Sequence, residues 1–333
     1  MNTMLAAVVD ALGEAPRPVV RPVPEPGPGK ALIEVTAAAL NPIDLLISAG
    51  QHPAGAPDVP HVPGIEGVGK VVRGSSLVPG TRVRFLVQGG FVSGSLAQYT
   101  VAGEEQCVPV PDGLDDELAA AAGTVGTGAL VGLRDRAGLR AGEHVLVLAG
   151  TGAFGQMFIQ LAQLLGAGRV VGAGRRKDRL DRMLELGADA VFALPEPAGQ
   201  GNLAWLAQAA GEHFDVIADP LWGPYAAGAL ACLKPGGRLL NVGQLAGARA
   251  DLNGGLLRHN AATVVGFSGA SLVPEATASA YREIAGFMSD KRLTVGLTAY
   301  PLDGIATAWR AQAASPGTKI VITPPPASGI PAA

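Results

Sequence analysis

Six residues, Gly150-Thr151-Gly152-Ala153-Phe154-Gly155, have the types and spacing of an anion cradle. The apolar run Val145-Leu146-Val147-Leu148-Ala149 leads into them, and a helix-competent segment, Gln156 to Leu165, leads out. Strand, G-x-G-x-x-G turn and helix, in that order, is the arrangement that holds a dinucleotide pyrophosphate. The first glycine permits the tight turn, the second lets the backbone approach the phosphates, and the third lets helix and strand pack closely. The anion then meets free N–H groups at the positive end of the helix. All six residues are therefore candidate cofactor-binding residues. The chain holds 47 glycines, so the motif draws its weight from the alternating strand and helix signals that follow it.

A second group discriminates between dinucleotides. In NAD-binding domains an acidic residue about 20 positions beyond the first glycines binds the ribose 2′-hydroxyl. Gly174 occupies that position here, and Arg175-Arg176-Lys177 follow it. No carboxylate stands there to repel a 2′-phosphate, and guanidinium groups suit bidentate phosphate binding. Gly174, Arg175, Arg176 and Lys177 thus read as a 2′-phosphate site and the cofactor as NADPH. The alternative is a solvated basic helix start.

These residues need a scaffold, and the chain divides into two kinds of pattern. Residues 1 to about 120 are β-rich: strands at Met4–Val9, Ala31–Ala39, Ile65–Val72, Arg82–Phe85 and Gly94–Val101, separated by Gly/Pro turns such as Pro22–Gly29. Many short strands with such turns suggest a barrel-like β domain. A short helix follows Asn41-Pro42-Ile43-Asp44, and another begins at Asp115-Asp116-Glu117. Strand candidates then lie at 143–149, 169–173, 190–193, 214–218, 237–242 and 262–267, and helix candidates at 154–166, 177–187, 202–210 and 222–233. That alternation builds a parallel sheet with helices on both faces. Helices at 275–289 and 302–314, a strand at Lys319–Ile322 and a frayed tail over Thr323–Ala333 complete the reading.

Composition narrows the function classes. At 333 residues, 48% apolar and 16% charged, the chain can bury a sizeable core. A net charge of −3 without a long basic block argues against a nucleic-acid partner. Cys107 and Cys232 stand far apart, which excludes a disulfide framework or a cysteine zinc lobe. The N-terminus has no basic-then-apolar signal region, and the most apolar stretch, Val145–Ala167, is broken by glycines and glutamines. A cytoplasmic protein with no membrane partner is expected.

Several further stretches carry a resemblance that covers nearly the whole chain. They are Ala38-Ala39-Leu40-Asn41-Pro42-Ile43-Asp44, Val62-Pro63-Gly64-Ile65-Glu66-Gly67-Val68-Gly69, Ala137-Gly138-Leu139-Arg140-Ala141-Gly142-Glu143, Leu186-Gly187-Ala188-Asp189, Leu233-Lys234-Pro235-Gly236-Gly237-Arg238 and Thr318-Lys319-Ile320-Val321-Ile322. In this order, with the Gly150 motif, they resemble the medium-chain dehydrogenase/reductase superfamily, and within it the zinc-free quinone oxidoreductase branch. The resemblance implies an α/β protein: a GroES-like β-rich catalytic domain from residues 1–120 and 269–333, and a Rossmann-type doubly wound domain over 121–268. It also implies a homodimer.

Zinc-using relatives carry a cysteine where Asn41 stands and a Gly-His-Glu where Gly64-Ile65-Glu66 stands. An asparagine amide and an isoleucine cannot replace a thiolate and an imidazole, so no metal is expected. Asn41 resembles the asparagine near the nicotinamide ribose, its alternative being an Asx-Pro turn. Thr127 resembles the threonine near the carboxamide, its alternative being a helix cap. Asn241-Val242-Gly243 ends a strand on the cofactor face, and Phe267, Ser268 and Lys319 lie where the family closes the nicotinamide end. Relatives offer a tyrosine near Leu194 and another at Leu46, and both are absent here. His52 stands at a loop position that is often tyrosine, either as proton donor or as an exposed histidine; His61 has a lesser claim. The chemistry implied is hydride transfer to a quinone or an α,β-unsaturated carbonyl. The alternatives are an enoyl reductase acting on a polyketide or other secondary metabolite, and a non-catalytic NADPH-binding protein.

Overall fold

The computed structural model describes residues 2–53, 55–87, 93–194 and 204–327. Its contacts divide the chain into two units: Met1–Thr124 with Val273–Ala333, and Val125–Leu272. The fold is mixed α/β, with a β-rich GroES-like unit and a parallel-sheet Rossmann-like unit. Among the described residues no helix is long and apolar enough to cross a membrane.

The first unit contains strands β1 (Thr3–Val8), β2 (Arg17–Pro22), β3 (Lys30–Leu40), β4 (Glu66–Arg73), β5 (Arg82–Leu86), β6 (Tyr99–Gly103) and β7 (Cys107–Pro109), with helix α1 (Pro42–Ser48) after β3. Its sheet is seven-stranded, in the order β14-β15-β3-β4-β5-β7, where β14 is Leu297–Pro301 and β15 is Lys319–Thr323. The long strand β3 organises it. One edge of β3 is taken by β4, and the other is shared by β6 along Lys30–Glu34 and β15 along Ala38–Leu40. The core beneath gathers Ile33, Val35, Leu40, Phe85, Leu96, Ile320 and Trp309. The glycine spacing of β4 has a steric origin: a Cβ on Gly69 would lie 2.2 Å from the carbonyl oxygen of Glu34 on β3.

The second unit holds a six-stranded parallel sheet in the order β10-β9-β8-β11-β12-β13. These strands are β8 (His144–Val147), β9 (Arg169–Gly174), β10 (Ala190–Ala193), β11 (Phe214–Asp219), β12 (Leu233–Asn241) and β13 (Thr263–Gly266). The helices are α3 (Ala153–Leu164), α4 (Leu180–Glu185), α5 (Trp205–Ala210), α6 (Tyr225–Ala231) and α7 (Gly254–His259). Val145, Leu146 and Val147 are fully buried because β8 is central, with β9 on one side and β11 on the other. A near-continuous apolar run is what a strand covered on both faces requires. Helix α2 (Asp116–Val131) precedes this sheet; helices α8 (Pro274–Ser289) and α9 (Ile305–Ala313) follow it in the chain.

Several expectations need correction. Strand β2 carries Pro18 and Pro22, which read in sequence as turn signals; among the described residues it pairs only with β1, and an edge strand tolerates proline. Strand β14 is likewise outermost and ends on Pro301. Helix α7 opens on two glycines and forms because the Asn253 side chain accepts the N–H of Leu256. The strand placed at Gly94–Val101 starts only at Tyr99, and the helix placed at 177–187 opens as a 3₁₀ turn, Lys177–Arg179. Of the helix placed at 202–210, residues 202 and 203 lie outside the described residues. The tail is not frayed over its first residues: Gln98 Nε2 donates to Pro325 O at 3.0 Å, and Ala327 packs against a buried cluster. Residues 328–333 lie outside the described residues.

The contact between β3 and β4 yields a stability test. Gly69→Ala forces the two backbones apart and should destabilise the chain by about 1–3 kcal/mol, read as a lower midpoint in urea unfolding.

Candidate active site

In the second unit the glycine loop follows β8, the strand from which the sheet order runs outward through β9 on one side and β11 on the other. In open parallel sheets that switch point, at the carboxyl ends of the strands, is where ligands bind. The three glycines of the loop have different jobs. A Cβ on Gly150 would lie 2.4 Å from Met183 Sδ, and one on Gly155 would lie 2.4 Å from Ala149 O and 2.6 Å from Gly150 Cα. Both positions are closed by the protein's own packing. A Cβ on Gly152 meets only Ala149 O, at an ordinary 3.5 Å. Packing leaves Gly152 free to carry a side chain, so its smallness keeps open the space outside the loop.

Gly152 is also the N-cap of α3 and offers no side-chain acceptor. The first N–H groups of a helix have no intrahelical partner, which leaves those at Ala153, Phe154 and Gly155 without one inside α3. This donor set fits a pyrophosphate. Thr151 is seated against β9, where a Cβ on Gly174 would strike Thr151 Cγ2 at 2.5 Å. Gly150 N donates to Ala173 O at 2.8 Å and locks the loop to the same strand.

The cations after Gly174 are exposed, and one has a partner that sequence reasoning missed. Arg176 makes a two-point contact with Asp178, Nε to Oδ1 at 2.9 Å and Nη2 to Oδ2 at 2.8 Å. That hydrogen bond holds the Asp178 carboxyl below its ordinary range. A carboxylate therefore stands beside the cationic stretch, leaving Arg175 and Lys177 as its other cations.

The remaining cofactor-side residues sit at strand ends. Asn241 closes β12, its Nδ2 donating to Gly243 O at 2.7 Å and its carbonyl accepting from Phe267 N at 2.9 Å. Val242 N donates to Asp219 O at 3.0 Å. Ser268 Oγ accepts the Ala270 N–H and caps the turn Gly269–Ser271. Thr127 is buried in the body of α2, so the helix-cap alternative for it does not hold. Asp219, at the end of β11, was also missed. It is fully buried, its Oδ1 accepts the N–H groups of Leu221 and Trp222, and burial pushes its carboxyl up to about 6.

In the first unit, strand β3 delivers Asn41 to the start of α1. Asn41 Nδ2 donates to Glu66 Oε1 at 3.0 Å, and its Oδ1 accepts from Lys319 Nζ. The amide thus bonds residues from β4 and β15 as well as Ala39 O at 3.2 Å, and Asn41 is also the N-cap of α1 with Pro42 next to it, so the Asx-Pro reading describes its backbone setting. Lys319 Nζ lies 3.5 Å from Glu66 Oε1. Glu66 Oε2 receives Arg84 Nη2 at 3.1 Å and both the N–H and hydroxyl of Thr124 at 2.7 Å. All are buried except Thr124, which is partly so. Burial pushes the Glu66 carboxyl up, but Lys319, Arg84, Thr124 and Asn41 outweigh it and hold it below the usual range. Burial pushes Lys319 down, partly offset by Glu66. Asp44 Oδ2 accepts the Asn41 N–H at 2.7 Å; burial and the nearby Glu66 raise its carboxyl to about 7 despite Lys319. His52 lies half-buried in the bend after α1, where its carbonyl accepts from Gly55 N at 2.9 Å. The structure brings Asn41 and Lys319 together.

Two sequence families match this architecture: the alcohol dehydrogenase GroES-like domain over residues 27–112 and the zinc-binding dehydrogenase family over residues 153–287. The pig (Sus scrofa) quinone oxidoreductase is 32% identical over 228 residues, covering 66% of each chain. The chain belongs to the medium-chain dehydrogenase/reductase superfamily, in its quinone oxidoreductase-like branch. The pikromycin polyketide synthase component PikAII of Streptomyces venezuelae is 30% identical over 248 residues; they cover 73% of this chain and 6% of that protein. The chain therefore spans only a small part of that much longer relative. A mycobacterial structure, Rv1454c complexed with NADPH, superposes with a TM-score of 0.84 at 26% identity, covering 96% of this chain and all of that one. Among the described residues no group of three or more His, Cys, Asp or Glu stands together in a way that could hold a metal ion.

The raised carboxyl of Asp44 makes stability depend on pH in a defined direction. The native state holds this proton up to about pH 7 and the unfolded chain only to about 3.8, so stability contributed by Asp44 is lost as pH rises between them. Unfolding curves should show Asp44→Asn gaining on the wild type by up to about 1.4 kcal/mol per pH unit across that window, and levelling above it.

Proposed function

We propose that this protein is a zinc-independent, NADPH-dependent reductase that delivers hydride to a quinone or an α,β-unsaturated carbonyl. The open side of Gly152, at the switch point and beside the first N–H groups of α3, carries the reading. Support for NADPH over NADH comes from Gly174 and the cations after it, and from the likeness to a structure complexed with NADPH. The likeness to pig quinone oxidoreductase supports the acceptor class.

Bound at this loop, the cofactor's nicotinamide would supply the hydride. The protein's own part is orientation and charge control. The α3 N-terminus would hold the pyrophosphate, Arg175 and Lys177 the 2′-phosphate, and Thr127 the nicotinamide end. A quinone leaves a stable quinolate that solvent can protonate, whereas an enone leaves a basic enolate that gains more from a positioned acid. A second reading, an enoyl reductase acting on a polyketide intermediate, is favoured by the likeness to PikAII.

NADPH oxidation against a panel of quinones, enones and enoyl thioesters tests the assignment. Turnover with quinones or simple enones is expected; turnover with enoyl thioesters alone would select the second reading, and none despite tight NADPH binding would overturn both. Replacing Arg175 and Lys177 together by serine should weaken NADPH by about 10–100-fold, the worth of charge-assisted hydrogen bonds, and leave NADH unchanged in a fluorescence titration. Equal wild-type affinity for NADH and NADPH would refute the 2′-phosphate site.

A further inference from the structure

Reduction by hydride consumes one proton for every hydride delivered, and the first unit contains costly buried polar atoms that the cofactor-binding assignment leaves unused. A cavity of about 20 Å³ is lined by Asp44, Ile47, His61, Gly64, Ile65 and Val87, among others. That is room for a single water-sized oxygen. Asp44 and His61 are both fully buried, and among the described residues Asp44 Oδ1 and His61 Nδ1 have no hydrogen-bond partner. The opposite nitrogen of the same ring, Nε2, lies 3.1 Å from Ser48 Oγ. Ser48 in turn lines a separate outer groove of about 200 Å³, with Gly13, Glu14, Leu45, Ala49 and Trp309.

We propose that Ser48, His61 and Asp44 form a proton relay, running from the outer groove past α1 to the cavity beside Ile65, that supplies the proton for substrate reduction. This rests on the reductase reading above. In each turnover the Asp44 O–H bond breaks and its proton goes to the anion left by hydride addition. An oxygen in the cavity then passes a proton from His61 Nδ1 to the Asp44 carboxylate. His61 Nε2 takes the Ser48 hydroxyl proton, the buried Ser48 is reprotonated by way of the groove it lines, and the imidazole returns to its Nδ1–H tautomer before the next turnover. The balance is NADPH, a proton and the acceptor giving NADP⁺ and the reduced acceptor.

Packing alone does not call for these residues. An asparagine at position 44 would accept the Asn41 N–H equally well, and an apolar side chain at position 61 would fill the same space without stranding Nδ1. The electrostatics match the task. Facing Asp44 are Lys319 from β15, Glu66 from β4, and the N–H groups of Asn41 and Ile65; burial is the largest influence and leaves it able to hold or release a proton near neutral pH. Facing His61 are Ser48 from α1 and the backbone of Val9, with no charged side chain among the described contacts. Burial lowers the His61 imidazole, which keeps it neutral, with one nitrogen to donate and one to accept.

Two measurements on the full chain decide the matter. Imidazole ¹⁵N spectra without cofactor should show the His61 signals stepping as Asp44 titrates, and the step should vanish in Asp44→Asn. Steady-state turnover with NADPH and the best enone acceptor, whose enolate needs a positioned acid, should fall about 10–100-fold in kcat in His61→Phe and Ser48→Ala, with the KM for NADPH unchanged. In both variants the pH dependence should flatten and the solvent isotope effect on kcat should grow. His61→Gln, which keeps a polar partner for Ser48 but cannot relay, serves if His61→Phe does not fold. Wild-type kcat, pH profile and isotope effect in the folded variants, or His61 signals indifferent to Asp44, would overturn the relay. If the wild type reduces none of the acceptors, the reductase reading fails, and the spectra still report whether the two buried groups share a proton path.

Discussion

The buried carboxylate of Glu66 is the constraint on which the first unit depends. An ion taken out of water must be fully paired, and removing one partner of such a group costs about 3–5 kcal/mol. Glu66 recruits its partners from across the unit: Asn41 where β3 meets α1, Arg84 from β5, Thr124 from α2 and Lys319 from β15. These residues are separated by up to 278 positions in sequence, so closing the shell requires the N-terminal and C-terminal parts of the chain to fold as one body. The sheet order, with β15 against β3, is the backbone expression of the same demand.

The second unit obeys a different constraint, set by where atoms must be missing. Gly150 and Gly155 are small because Met183 and the Ala149 carbonyl already occupy the space a side chain would need. Gly152 has no such neighbour. Three glycines indistinguishable in sequence thus separate into two that serve packing and one whose smallness serves something outside the chain. That steric difference marks which side of the loop is open.

Legibility in the sequence followed the range of the interactions. The parallel strands could be read because both faces are buried, which writes an apolar run at β8 and β11. The glycine loop and its helix could be read because turn, cap and dipole are local. Strands β2 and β14 could not, since edge strands tolerate the prolines that otherwise signal turns. Nor could the pairing of Arg176 with Asp178, which turns on side-chain geometry rather than residue type. Asn41 and Lys319 were singled out by position, yet their joint bond to Glu66 was invisible, because nothing local ties a residue after β3 to one at the start of β15.

Asp44 and Glu66 show what that long-range cluster achieves chemically. Both carboxyls are buried, both lie near Lys319, and each influences the other. Glu66 takes the cations, the threonine and the asparagine amide, and stays ionised. Asp44 is left with backbone N–H groups and the field of an ionised neighbour, and burial wins. Environments that push two carboxyls apart in this way assign one to fixed charge and the other to proton exchange. Ile65 offers Asp44 only its backbone N–H, and its side chain lines the cavity that Asp44 also lines.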